Sequence, residues 1–232
     1  METLAHPVLE RMQALVLQWR RLADQRAVFL DCYRLMTANM LQAIDRREFN
    51  DPAWVDHLLR RFADYYFVAL DAYQRDAAAA PRVWQAAFEA AQGGRLLPAQ
   101  NLLLGVNAHI NYDLVLTLEE LLQPEWQQLD EARRQARFAD HCRVNEIIAA
   151  TIDAVQDQVL EPAMPALQVF DALLGRLDEH IISRLIAGWR GNVWQHALEL
   201  VEAPGADERA ALTRQVETEA LQMAKWIGWQ ED

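Results

Sequence analysis

The stretch Leu102-Leu103-Leu104-Gly105-Val106-Asn107-Ala108-His109-Ile110-Asn111-Tyr112-Asp113-Leu114-Val115-Leu116-Thr117-Leu118 decides the fold. It is apolar on nearly every side, the pattern of a helix buried inside other helices rather than lying on a surface. Pro98 opens it and Pro124 closes it. Four polar residues, Asn107, His109, Asn111 and Asp113, sit in its middle. An unpaired buried polar group costs roughly 1–3 kcal/mol, and a charge costs more. Such a helix therefore needs internal partners, a ligand or a metal for these four side chains.

Helical spacing also governs the flanks, and no alternating strand pattern interrupts it. Leu4 to about Gln18 is amphipathic. A second segment follows Asp24, with Val28, Phe29, Cys32, Leu35, Met36, Met40 and Ile44 on its apolar face. Asn50-Asp51-Pro52 is a helix start, with Asp51 as N-cap and proline in the first turn. From it runs a stripe of Val55, Leu58, Leu59, Phe62, Tyr66, Ala69 and Tyr73. Pro81 begins a short helix that Gly93-Gly94 ends.

Beyond Pro124 a long helix spans about Asp130 to Leu160, and a short one passes through Val169, Leu173 and Leu174. Another runs from about Asp178 to Val201, and a last, more polar one from Ala206 to about Trp226. No repeat or flexible linker appears. The expectation is an all-α, single-domain protein over residues 1–232, a bundle of about eight to ten helices around a buried central helix.

Composition narrows the function classes. The formal net charge of −12 opposes binding to a phosphate backbone, which needs clustered Lys and Arg, and opposes anionic membrane surfaces. No run reaches the roughly 18 apolar residues of a membrane span. The first residues lack the basic and apolar regions of a signal peptide. Cys32 and Cys142 lie within helical patterns and suit a reducing compartment, so the cytoplasm is the expected location. Ser183 is the only serine, which argues against serine-nucleophile hydrolysis. A zinc-type His-Glu-x-x-His helix, a di-iron-type Glu-x-x-His pair and a Gly-rich phosphate loop are all absent.

What chemistry there is gathers on the central helix. Gly105, His109 and Asp113 are spaced by four residues and share a face. A His/Asp pair at that spacing can offer two ligands to one cation, or a carboxylate that orients the imidazole as a general base. On the long helix His141 and Asn145 repeat the spacing, with Asp140 and Glu146 expected to point more outward. If the two helices face each other, His109, Asp113, His141 and Asn145 converge as catalytic residues. His109, Asp113 and His141 would then be the candidate ligands of a divalent transition metal.

Arg190 can hold an anionic group, and Trp194 and Tyr66 can form the wall of a pocket beside Asn107 and Asn111. Each feature has a plainer reading. His109 and Asp113 can be a structural pair, His141 and Asn145 a polar patch at helix ends, and Arg190 the partner of a carboxylate. The tryptophans Trp19, Trp54, Trp84 and Trp126 read as packing residues.

At Gly105-Val106-Asn107-Ala108-His109-Ile110-Asn111-Tyr112-Asp113-Leu114 the chain resembles an uncharacterised, mostly bacterial family of unknown function. The likeness extends through Phe49–Val55, Phe62–Tyr66, Val144-Asn145 and the segment from Arg190 to Val193-Trp194, where Ala-Trp is expected. The resemblance implies a helical fold with the central helix as its hallmark, and implies no activity. Two functions follow as expectations. One is an enzyme, metal-assisted or histidine-based, acting on a small, partly apolar molecule. The other is a non-catalytic small-ligand-binding or protein-interaction module whose polar helix is a structural hydrogen-bond network.

Overall fold

Asp51 caps its helix as the sequence predicts: its carboxylate accepts the backbone N–H of Trp54, and Pro52 occupies the first turn. In the computed structural model, which describes residues 6–163 and 179–228, every regular element is helical. The elements are α1 (Pro7–Arg21), α2 (Arg26–Asp45), α3 (Pro52–Arg75), α4 (Arg82–Gly93), α5 (Pro98–Ala108), α6 (Leu114–Leu122), α7 (Glu131–Val155), α8 (Glu179–Glu202) and α9 (Ala206–Ile227). The helix expected through Val169, Leu173 and Leu174 lies outside the described residues, as does the tail beyond Gly228. Among the described residues, no helix is long and apolar enough to cross a membrane.

The central helix forms as read, with one change. Between α5 and α6 the residues His109–Asp113 make a π turn, so the rod continues but its register shifts. A second π turn, Gln156–Leu160, extends α7. π turns hold one residue more than an α turn, are intrinsically unfavourable, and concentrate at functional sites.

Two apolar clusters form the interior. Leu102, Leu104 and Ala108 of the central helix belong to one, with Leu30, Ala63, Leu70 and Trp84. Leu114, Val115, Leu118 and Leu122 belong to the other, with Val55, Val193 and Leu200. The π turn falls where the rod passes from one cluster to the next, and Val106 and Tyr112 touch both. Gly105 lets α2 come close: a Cβ there would lie 2.4 Å from Cγ of Phe29. The missing side chain thus serves a close helix crossing.

The start of α3 is tied to α7 by Asp140, which is 1% exposed. Its carboxylate accepts the backbone N–H of Asn50 at 2.7 Å, the side-chain amide of Asn50 at 2.9 Å and the backbone N–H of Asp51 at 2.9 Å. The outward placement expected for Asp140 is therefore corrected, because those donors need a buried acceptor. Asp140→Ala is expected to cost about 2 kcal/mol in urea unfolding, since it removes the acceptor of three part-buried hydrogen bonds. A midpoint unchanged from the parent protein would show that the loop finds other acceptors.

Candidate functional site

The π turn places His109 and Asp113 against each other and against Trp84 of α4. Nδ1 of His109 lies 3.0 Å from Oδ2 of Asp113. The indole N–H of Trp84 donates to both carboxylate oxygens, at 3.0 and 2.9 Å. Both carboxylate oxygens are thus engaged. All three side chains are nearly or fully buried. The imidazole is clamped sideways as well. Phe62 stacks on it with ring centroids 3.5 Å apart and planes 9° apart, and Tyr33 stands across it at 4.3 Å.

Nε2 of His109 is buried and has no hydrogen-bond partner among the described residues. His109 lines a cavity of about 280 Å³ bounded by α2, α3, the central helix, α7, the second π turn and α8. Its walls are overwhelmingly apolar: Met36, Leu58, Val106, Ile148 and Ile186 are typical. Among the described residues the polar exceptions are His109, Tyr33, Thr37, Gln156 and Arg190. The Tyr33 and Thr37 hydroxyls, one turn apart on α2, make no well-formed hydrogen bond.

Burial pushes the Asp113 carboxyl up and the His109 imidazole down, while the Trp84 hydrogen bond lowers Asp113. The two groups titrate as one unit. When the pair holds a proton, Nε2–H points into the cavity as a donor; when it does not, Asp113 accepts Nδ1–H and Nε2 offers its lone pair. One atom can thus give or take a proton. Burial likewise raises the Tyr33 hydroxyl well above its ordinary value, so it stays protonated as a donor. Cys32, also on the wall, is raised to about 12 by burial beside Asp31 and is unreactive.

A second polar cluster forms where α7 meets α8. Nε of Arg190 donates to Oδ1 of Asn145 at 2.8 Å, and Nη2 donates to the carbonyl of His141 at 2.7 Å. Nε2 of His141 lies 2.9 Å from the Arg190 carbonyl, and Nδ1 lies 3.3 Å from Nη2. A neutral imidazole fits both, donating from Nε2 and accepting at Nδ1. The edge of Trp194 packs against this ring.

The match that places this chain among known proteins covers residues 5–228, and it is to the Family of unknown function (DUF5995). The chain belongs to that family. No curated protein matches it, and neither does any solved structure. The DUF5995 chain is helical as the resemblance implies, and the central helix carries its most unusual chemistry.

The residues singled out in the sequence sort into three places. His109 and Asp113 come together. His141 and Asn145 do not join them, because α7 packs chiefly on α2 and α8 and turns these side chains toward Arg190. Asn107 and Asn111 are an anchor: Asn107 donates to the Ala220 carbonyl of α9 and accepts from Asn111, both at 2.9 Å. Tyr66 is fully buried, and its hydroxyl faces a separate void of about 10 Å³ beside Asn101. Trp194 packs against His141, Trp126 and Phe138 instead of the cavity.

The expected metal set is not assembled. Among the described residues no group of three or more His, Cys, Asp or Glu could hold an ion. His109 keeps one free donor atom, and His141 uses both nitrogens on Arg190. Trp84, read as packing, is the residue that sequence reasoning missed. The signal was available in principle, since a buried indole N–H seeks an acceptor. Nothing in the spacing pointed to Tyr33, Thr37, Phe62 or Gln156.

The His141 geometry predicts a pH dependence. Burial, reinforced by the adjacent Arg190 guanidinium, pushes its pKa well below the ordinary value of 6.5. The unfolded chain therefore takes up a proton below about pH 6.5 that the folded chain refuses, and stability falls with falling pH by up to about 1.4 kcal/mol per pH unit. Urea midpoints from pH 7.5 to 5 are expected to fall less steeply in His141→Gln. Parallel slopes would mean that His141 titrates in the folded protein.

Proposed function

We propose that this protein is an enzyme that transfers a proton to or from a small, largely apolar molecule at Nε2 of His109. The observation that supports this reading is the orphaned Nε2 itself. It is held in the wall of an apolar cavity by a carboxylate that is in turn held by an indole. A purely structural pair has no use for a free ring nitrogen in a largely apolar wall, and leaving one there costs stability. The cavity sets the size of the molecule. A void of about 150 Å³ takes up benzene, so one nearly twice as large suits about ten to twelve carbon atoms. His109 would act as base or acid. Asp113 would hold the ring and balance the imidazolium, Trp84 would hold Asp113, and the Tyr33 and Thr37 hydroxyls would orient a polar group.

Metal assistance is the weaker form of this proposal, since one imidazole nitrogen is a poor cage for an ion that wants three or four ligands. The two free thiols and the acidic charge balance fit a cytoplasmic setting, and the resemblance adds a bacterial one. In this reading neither nucleic acid nor membrane is a partner.

The near-uniform apolar wall favours a second reading, a carrier that binds without turnover. One experiment separates them. The protein is incubated with 2-decanone in D2O, and deuterium entering the carbons beside the carbonyl is followed by mass spectrometry. The enzyme reading expects exchange well above the buffer rate, lost in His109→Gln while the ketone still binds. Binding without exchange in the parent protein would overturn it in favour of the carrier.

A further inference from the structure

Arg190 is 4% exposed and forms part of the cavity wall. Its hydrogen-bond partners are all neutral: the Asn145 amide oxygen, the His141 carbonyl and the His141 ring. Nη1 bonds to no described residue, and no carboxylate of a described residue comes within ion-pair distance. Half-buried arginines of this chain are treated differently. Arg26 pairs with Asp24, and Arg137 pairs with both Glu125 and Asp51. A buried guanidinium without an anion is costly, and the chain has acidic residues to spare, with 34 Asp and Glu against 22 Lys and Arg. The Asn145 and His141 contacts fix the plane of the guanidinium through Nε and Nη2 and leave Nη1 without a partner among the described residues. A fixed, charged N–H group of this kind can donate to an oxyanion.

We propose that Arg190 anchors the ligand of this cavity, and that the ligand is a carboxylic acid with an apolar body of about ten to twelve carbons. The charge count favours a carboxylate over a phosphate ester. Among the described residues one guanidinium matches a monoanion, and the other polar groups on the wall, Tyr33, Thr37, Gln156 and neutral His109, add no second positive charge. The carboxylate is thereby held at α8 while the apolar body extends between α2, α3 and α7. This places carbon atoms remote from the acid group, and not the acid group itself, in front of His109. This inference rests on the reading of the cavity as a ligand site, and it adds the class of molecule and its direction.

The test compares decanoic acid with 1-decanol, which share one chain and differ in charge. Their binding to the full-length protein is measured by calorimetry at pH 7.5, where the acid is ionised. The acid is expected to bind at least about tenfold more tightly. That advantage should disappear in Arg190→Gln, survive in part in Arg190→Lys, and persist in His109→Gln. Equal affinity of acid and alcohol for the parent protein overturns the anchor and leaves the apolar cavity standing as a binding site. An acid preference retained by folded Arg190→Gln overturns it too. Failure of both compounds to bind removes the cavity reading and this inference together. Because the parent comparison decides by itself, the proposal stays falsifiable even if Arg190→Gln does not fold.

Discussion

Asp113→Asn is expected to abolish proton exchange, by about 10³- to 10⁴-fold, while leaving the helices in place. The asparagine oxygen can still accept the indole N–H of Trp84, so the side chain keeps its position. Its amide nitrogen then faces Nδ1 of His109, where a carboxylate oxygen lay at 3.0 Å. A donor in that place forces the lone pair of the ring onto Nδ1 and the hydrogen onto Nε2. The atom facing the cavity becomes a permanent donor and can no longer remove a proton. The stability cost is about 1–3 kcal/mol, because one hydrogen bond weakens and Nε2–H is left as a buried donor facing the apolar wall. The checks are the exchange rate, the imidazole nitrogen chemical shifts and a urea titration. A variant that folds and exchanges at the parent rate would show that Asp113 has no part in the chemistry.

The second large effect is expected at a residue with no chemistry of its own. Gly105→Ala should lower stability by about 2–3 kcal/mol, although alanine is the better helix former by about 1 kcal/mol. The new methyl carbon would lie 2.4 Å from Cγ, 2.5 Å from Cδ2 and 2.8 Å from Cβ of Phe29. Contact with Cβ means that rotating the ring is not enough, so the backbone of α2 must retreat. The ring is also boxed in by Tyr33, Tyr66, Trp84 and His109, all with centroids 5.6–5.9 Å away. For a chain of this size the change corresponds to a melting temperature lower by about 5–10 °C. A thermal melt followed by circular dichroism measures it. An unchanged or higher melting temperature would mean that α2 yields freely, and that the clamp around His109 is looser than these contacts imply.

The helical architecture was legible because its signals are local. Asp51-Pro52 starts α3, Gly94 closes α4 in a left-handed conformation, and Pro98 starts α5. The spacing of His109 and Asp113 also gave their hydrogen bond. What the spacing hid were facts about which helix faces which. His141 and Asn145 look like a second half of the same site on a helical wheel, but α7 presents them to α8. Arg190 read more readily as an ion-pair partner than as an anion clamp, and only its neutral neighbours among the described residues set it apart. Trp84 is 29 residues from Asp113 along the chain, and no periodicity links them. Asn107 and Asn111 carry the same polar signal as His109, yet one amide pair on the Ala220 carbonyl accounts for both. Polarity in a buried helix thus marked both the His109–Asp113 pair and two amides that serve as an anchor.

The wide turn at His109–Asp113 also sets a rule for the length of this chain. An α-helix advances about 100° per residue. The extra residue in the turn therefore acts as a phase break, and the halves of the central rod are two helices keyed to different neighbours. Leu114, Leu118 and Leu122, at most 2% exposed, lie beyond that break and take their facing from it. Loss of one residue between Ala108 and Leu114 would turn all three toward new neighbours and swing Asp113 away from the ring it holds. The segment tolerates a change of side chain far better than a change of count, so its spacing is as much a part of the site as its histidine.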